Sequence, residues 1–300
     1  MKIAILTRLP HYFTERRLQE EAEKRGHTVE MLRYPACYIS LSDGGSELLY
    51  KGESLEPYDA VIPRSFAGSS AYGTAILRQF ELKNTYTPIR SLAINRSIDT
   101  LRAMQILSRE AVPIPRTVFV REPDQADELI EHVGVPAVIK VASNRRESTV
   151  LVESRKAVGS VVRAFYVTDS TFMIQEYING PSAQSIRAIV VGSTVAASVR
   201  KTENGFSNES GDASASKYDK VAILTDEQKK IAVKAARALG LSVCSVDMVV
   251  TEGKAFVIGL NPYFGIENIE AVTRRNVAGK IIDYLELNAK RRTKKDKVGA

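Results

Sequence analysis

Ser242–Glu270, SVCSVDMVVTEGKAFVIGLNPYFGIENIE, is the stretch whose reading decides the fold. Two runs of alternating, β-prone residues flank a glycine-containing loop at Thr251 to Ala255, the pattern of an antiparallel hairpin. A five-residue loop sets Val250 opposite Phe256 and Asp247 opposite Gly259. Because strand side chains alternate in direction, Val246, Met248, Val250, Phe256, Ile258 and Leu260 then share one apolar face. Ser245, Asp247, Val249, Val257, Gly259 and Asn261 share the other. A carboxylate and an amide oxygen thus point the same way from neighbouring strands. These are hard donors of the kind Mg²⁺ takes while it keeps waters and bridges to substrate phosphates. On the hairpin alone, a solvated sheet face is the simpler reading, and the decision lies elsewhere in the chain.

Upstream, Thr225 with Gln228 predicts a capping box for a helix through Leu239, stopped by Gly240. Before it, Ile186–Val191 and Val195–Lys201 predict a hairpin turned at Gly192-Ser193. Polar Thr202–Lys220 reads as a loop with little to bury. Downstream a last helix runs from about Asn276 to Asn288. The middle of the chain predicts an α+β unit: strands Arg116–Val120, Ala137–Val141, Thr149–Glu153 and Phe172–Tyr177, with helices Asp124–Val133 and Ala157–Tyr166. Asp99 is placed to cap a helix over Thr100–Glu110.

The N-terminal third alternates strand and helix, with strands at Lys2–Thr7, Val29–Leu32 and Asp59–Pro63 and helices at Glu15–Arg25 and Gly73–Lys83. Ile39–Lys51 is a loop or small hairpin turned at Asp43-Gly44-Gly45. This spacing argues for an open parallel sheet. Its first βα turn, TRLPHYFTE, contains no glycine, which excludes a dinucleotide-binding fingerprint.

At 300 residues the chain is long enough for two or three sub-domains, and 44% hydrophobic with 26% charged residues places it among ordinary globular proteins. No apolar run reaches the roughly 18 residues a membrane helix needs. MKIAILTRLP lacks a cleavage region and reads as a first strand in a cytoplasmic protein. Cys37 and Cys244 are too few for a metal framework, and His11, His27 and His132 show no ligand spacing. The net charge of +7 is uneven, because residues 290–297, KRRTKKDK, carry six basic groups and one acidic one. Such a tail suits RNA or another polyanion, and it equally suits a solvated helix end.

Lys140 lies inside the apolar strand AVIKVA, where a lysine either snorkels to the surface or holds an anion. FMIQEYI then ends at Asn179-Gly180, a linker whose backbone groups beside apolar side chains suit a purine. With MKIAIL, DAVIPR, YGTAILRQFE, LRAMQIL, VIK, QEYI, IRAIVVG, IAVKAARALGL, VDM and GIENIE at their spacing, nearly the whole chain resembles the ATP-grasp superfamily. In particular it resembles the RimK-type ligases that add glutamate to a ribosomal protein C-terminus.

The resemblance implies an α/β fold of α+β subdomains, the ATP-grasp fold with an N-terminal open parallel-sheet (pre-ATP-grasp) domain. The implied divisions are 1–95, 96–178, 179–289 and a basic tail 290–300. It also implies ATP held between two α+β units, phosphoryl transfer to a carboxylate, and attack of an amine on the acyl phosphate. Carried over residue by residue, Lys140 contacts ATP phosphates and Gln175, Glu176, Tyr177 and Ile178 receive adenine. Arg187 is the catalytic basic residue near the substrate end, Asp247 and Asn261 are the metal ligands, and Asn208 is a loop asparagine.

The chain also departs from the pattern. The phosphate-facing lysine expected after Asp99 is Thr100. The glycine-rich loop after Lys140 is SNRREST, in which Arg145 and Arg146 are the available replacement cations. An Asp-Ile-Arg element is Ser185-Ile186-Arg187, and the carboxylate expected between two metals is Gly259.

The expectation is a RimK-like protein with impaired or lost carboxylate–amine (glutamate) ligase activity and a binding or regulatory role. The alternative is an active ATP- and Mg-dependent ligase adding glutamate or another amino acid to a protein or peptide C-terminus. ATP and Mg are cofactors in the active case, with none bound as the other extreme. The implied partners are a ribosomal protein or an active ligase relative, a small amino-acid substrate and further copies of the chain in a homo-oligomer. The tail adds an RNA reading, and nothing points to a membrane.

Overall fold

The computed structural model describes residues 1–64, 70–121, 126–142, 147–166, 171–180, 182–201 and 218–289. Arg145, Arg146, Asn208 and the basic tail lie outside them.

The chain opens with β1 (Lys2–Thr7), α1 (Phe13–Glu23) and β2 (Thr28–Arg33). A small antiparallel sheet of β3 (Cys37–Ser42), β4 (Gly45–Tyr50) and β5 (Glu53–Ser54) follows, then β6 (Ala60–Pro63), α2 (Ser70–Leu82) and α3 (Ser91–Ile98). β1 lies between β2 and β6, parallel to both. Ile3, Ala4, Ile5 and Leu6 are all fully buried, as a continuous apolar run in a doubly covered parallel strand requires. On α1, Leu18 and Ala22 fall four residues apart on the buried face.

α4 (Thr100–Arg109) starts where the Asp99 carboxylate accepts the Arg102 N–H at 3.0 Å. Then come β7 (Thr117–Val120), α5 (Ala126–Val133), β8 (Ala137–Ala142), β9 (Glu147–Val152), α6 (Arg155–Tyr166) and β10 (Thr171–Glu176). The strands form an antiparallel sheet in the order β7-β10-β8-β9. A core of its own, including Ile130, Ile139, Val158, Phe172 and Ile174, holds α5 and α6 on this sheet.

The last part contains β11 (Gln184–Val191), β12 (Thr194–Lys201), β13 (Tyr218–Val221), α7 (Asp226–Leu239), β14 (Val243–Thr251), β15 (Lys254–Asn261), α8 (Glu267–Thr273) and α9 (Val277–Ala289). Its sheet order is β13-β12-β11-β14-β15. The first three residues of β13 fall in the segment the sequence reads as a loop. Its four residues include two exposed charges, too little apolar periodicity to announce a strand, and pairing with β12 supplies the order. Both halves of the Thr225/Gln228 capping box form, and Gly240 ends α7 at a left-handed φ of +78°. Thr225→Ala should therefore lower stability by about 1 kcal/mol. The check is a lower urea midpoint at unchanged slope.

The deciding hairpin differs from its sequence reading in one respect. Thr251 pairs with Lys254, so the loop is only Glu252-Gly253, both with positive φ (+46° and +80°), the backbone of a tight hairpin turn. A bulge between Asp247 and Met248 absorbs the shift, and Asp247 still opposes Gly259 while Ser245 opposes Asn261. Beyond the bulge the faces exchange. Ala255 and Val257 join Val246 and Met248 in the core, whereas Phe256 and Ile258 are only half-buried. A five-residue loop and strict alternation cannot anticipate an inserted residue.

The N-terminal sheet and the last sheet share one continuous core, running from Ile3 through Ile94 and Val246 to Leu285. Arg17 on α1 pairs with Glu270 on α8 at 3.2 Å, and Arg25 pairs with Asp283 on α9 at 2.5 Å. Buried Arg64, just after β6, donates to the Phe264 carbonyl at 2.6 Å, and Thr14 Oγ1 accepts the Ile266 N–H at 3.1 Å. The loop leaving β15 is thus held against the N-terminal sheet. No helix among the described residues is long and apolar enough to cross a membrane.

Candidate active site

Lys140 points from β8 toward the last sheet. Its ammonium donates to Gln175 Oε1 at 3.4 Å and to the Ile258 carbonyl at 3.5 Å, so it reaches across to β15 rather than out to solvent. Gln175, itself buried, is oriented by its Nε2 donating to Thr117 Oγ1 at 2.9 Å. The residue after Ile258 is Gly259, and Gly259 faces Asp247 across the hairpin. Residues 118 positions apart are thereby brought to one cleft between two sheets.

Within the last sheet, Arg187 in β11 stands opposite Asp247 in β14. Its Nε and Nη2 each donate to an Asp247 carboxylate oxygen at 2.8 Å, a two-point fork that fixes both groups. Arg187 is only 3% exposed, and its Nη1 donates to the Tyr218 hydroxyl at 2.9 Å. Lys201 Nζ is a second cation on Asp247, at 3.3 Å. Burial alone pushes the Asp247 carboxyl up, but Arg187 and Lys201 together outweigh it and hold the group well below the usual carboxylate range.

Lys201 and Tyr218 are absent from the residues the sequence singles out. Lys201 had a legible signal, because Val199 opposes Arg187 in the β11–β12 hairpin and Lys201 lies two residues on, along the same face. Tyr218 had none, being in β13.

The remaining candidates are occupied within the fold. Glu176 forms a two-point pair with Arg116 at 3.0 and 3.1 Å, and its hydrogen bond to that guanidinium lowers the carboxyl pKa. The Glu176 N–H donates to the Arg116 carbonyl at 2.8 Å and the Tyr177 N–H to that of Pro136 at 3.1 Å. Half-buried Ile178 follows, where the chain leaves the central sheet. Asn261 shares the Asp247 face by register, but its Oδ1 accepts the Tyr263 N–H at 2.7 Å and so caps its own turn.

The residues present do not fit Mg²⁺. The ion demands octahedral oxygen donors at about 2.0–2.1 Å. Both Asp247 oxygens are engaged by cations, the Asn261 oxygen is engaged by a backbone amide, and Gly259 offers no side-chain donor. Among the described residues no three His, Cys, Asp or Glu side chains group as a metal site. The space for a carboxylate nevertheless exists, since a Cβ added at Gly259 meets nothing within 4 Å.

Residues 1–94 match a family model described as the RimK PreATP-grasp domain, and residues 97–285 one described as the RimK-like ATP-grasp domain. A relative from Halorhodospira halophila named "Probable alpha-L-glutamate ligase" is 41% identical over 295 residues, covering 97% of this chain and 96% of that protein. One of the same name from Aliivibrio salmonicida is 42% identical over 294 residues, covering 96% of each. Among solved structures, the ATP-grasp ligase PsnB complexed with minimal precursor superposes with a TM-score of 0.76 at 18% identity, covering 95% of this chain and 98% of that one. The RimK domain protein ATP-grasp from Sphaerobacter thermophilus gives 0.71 at 20% identity, covering 95% and 99%. The fold is therefore the ATP-grasp fold.

Proposed function

Because the chain belongs to the RimK-like ATP-grasp ligase family, we propose that it is a member whose carboxylate–amine ligase chemistry is impaired or lost and whose role is binding or regulation. The observation that carries this reading is the pairing of Asp247 with Arg187 and Lys201 opposite a glycine. Transfer of a phosphoryl group to a carboxylate depends on charge stabilisation, which paired metal ions supply in large part. Among the described residues, the one carboxylate facing Gly259 is already neutralised twice and so is poorly placed to recruit them. Lys140 beside the Gln175–Ile178 linker keeps the cation and the apolar seat that a nucleotide uses, which supports retained binding without turnover.

The second reading, an active ATP- and Mg-dependent ligase, is favoured by the 41% and 42% identity to relatives named for glutamate ligation. Under it, glutamate is the amine and a protein or peptide C-terminus supplies the carboxylate. Glutamate carries both reacting groups, so one assay separates the two. Purified protein is incubated with ATP, MgCl₂ and glutamate, and phosphate is measured. The expected result is no release above the protein-free blank. Release that scales with protein concentration establishes the second reading instead.

A further inference from the structure

We propose that the open edge of β3 is a docking surface for a second copy of this chain, the two β3 strands pairing antiparallel across a twofold axis at Ser40. The inference stands apart from the reading above and uses none of the cleft residues. β3 is an outer strand of the small sheet β3-β4-β5 and pairs with β4 alone. The hairpin closes at Ser42 and Gly45 around two residues, Asp43 and Gly44. Ser42, Ser40 and Tyr38 therefore spend their backbone groups on β4, while Ile39 and Leu41 aim theirs outward. Cys37 shares the outward direction, and its carbonyl accepts the Tyr72 hydroxyl at 2.6 Å, which ends the open edge on that side. Among the described residues, the backbone N–H and C=O groups of Ile39 and Leu41 have no partner. Edge strands are ordinarily blunted by charge, proline or a bulge. Cys37–Ser42, CYISLS, has no charged residue and no proline, and its pairing with β4 runs without a register shift.

The side chains point to the same occupant. Cys37, Ile39 and Leu41 alternate onto one face of the strand. Cys37 lies in the core and Ile39 packs against it, but Leu41 is 74% exposed, so an apolar row runs on past the end of the molecule. With Ser40 on the axis, Leu41 stands opposite Ile39 of the second copy, and Ile39 opposite its Leu41. Each exposed leucine then gains an apolar neighbour. Those opposed residues are also the ones whose backbone groups face outward, so each pair exchanges its N–H···O=C bonds. Charge favours a copy of this chain over a foreign strand. Asp43 is exposed in the turn, whereas Arg33 and Lys51 are exposed at the base of the hairpin, where the Lys51 N–H donates to the Ala36 carbonyl at 3.2 Å. Among the described residues none of the three side chains forms an ion pair. Antiparallel pairing of identical strands sets the acidic turn of each copy toward the basic base of the other, and the twofold axis makes that match twice.

The test is sedimentation velocity of the full-length protein over a range of concentrations, with Leu41→Lys, Ser40→Cys and Ser42→Cys as variants. Wild type is expected to reach at least twice the chain mass as concentration rises. Leu41→Lys sets a charge opposite Ile39 of the second copy and should weaken association about tenfold or more, with an unchanged circular dichroism spectrum because the leucine is mostly exposed in its own chain. Ser40→Cys reads the register. Directly opposed residues on one face bring their Cβ atoms to roughly 4.5–5.5 Å, close to the spacing of a disulfide, so mild oxidation should give a covalent dimer on a non-reducing gel. Ser42→Cys stands opposite Tyr38 and lies four residues, about 13 Å, from its own counterpart, so it should not cross-link. Wild type, whose Cys37 and Cys244 are buried, is the blank. A monomer at every concentration overturns the proposal, and a foreign strand is then the occupant of the edge. So does association that Leu41→Lys leaves unchanged, a Ser40→Cys protein that stays uncross-linked, or Ser42→Cys cross-linking as fast as Ser40→Cys. None of these outcomes bears on the loss of ligase chemistry, which glutamate-dependent phosphate release decides.

Discussion

Gly259→Glu should give the protein a metal requirement, with Mg²⁺ strengthening ATP binding tenfold or more in the variant, about 1.4 kcal/mol. The substitution is permitted by the backbone, because Gly259 does not adopt a left-handed φ and nothing lies within 4 Å of where its Cβ would stand. Directly opposed residues on one sheet face bring their Cβ atoms to roughly 4.5–5.5 Å, so the new carboxylate stands beside that of Asp247. Two carboxylates then compete for Arg187 and Lys201, and a divalent ion gains a pair of acidic donors. Adding Thr100→Lys supplies a further cation at the first residue of α4, where the helix N-terminus disfavours it slightly, so the single variant is the cleaner measurement. If ATP affinity in Gly259→Glu is equal in EDTA and Mg²⁺, the cleft between Lys140 and Asp247 is not where the nucleotide phosphates lie.

The parts of the fold legible in the sequence are those set by local chemistry. β1 is readable because its apolar run has one use, and α7 because Thr225, Gln228 and Gly240 mark both ends. The pairing of Asp247 with Gly259 agrees with the sequence reading although the loop does not, because the two-residue turn and the one-residue bulge together restore the register that a five-residue loop implies. What escapes has a non-local cause. The Ile258 bulge depends on fitting a two-residue turn to the rest of the sheet, β13 exists only against β12, and α3 is eight residues long without a cap that announces it. At the site, residue types point to phosphate and metal chemistry. That Asp247 is spent on Arg187 and Lys201 is a three-strand property, visible only once β11, β12 and β14 are side by side.

Asp247→Asn should destabilise the protein by about 3–5 kcal/mol at neutral pH, the usual consequence of removing one partner from a buried ion pair. The variant leaves Arg187, 3% exposed, facing a neutral amide that presents a donor on one side, with the Lys201 ammonium still nearby. The check is a urea titration, read as a lower midpoint at similar slope. The pH dependence has a definite sign. The Asp247 carboxyl is held below its unfolded value by Arg187 and Lys201, so its contribution is fully present above the unfolded pKa of about 3.9. It is lost as pH falls through the lower folded value, and the gap between wild type and Asp247→Asn should shrink in that acid range and be constant from pH 6 to 8. Replacing Asp247 together with both of its cations, Asp247→Leu with Arg187→Met and Lys201→Met, should recover much of the loss, because apolar side chains of similar volume leave no uncompensated charge. A double-mutant cycle then separates the coupling of the pair from the packing of either side chain. Wild-type stability in Asp247→Asn at pH 7 means that the fork is not formed in solution.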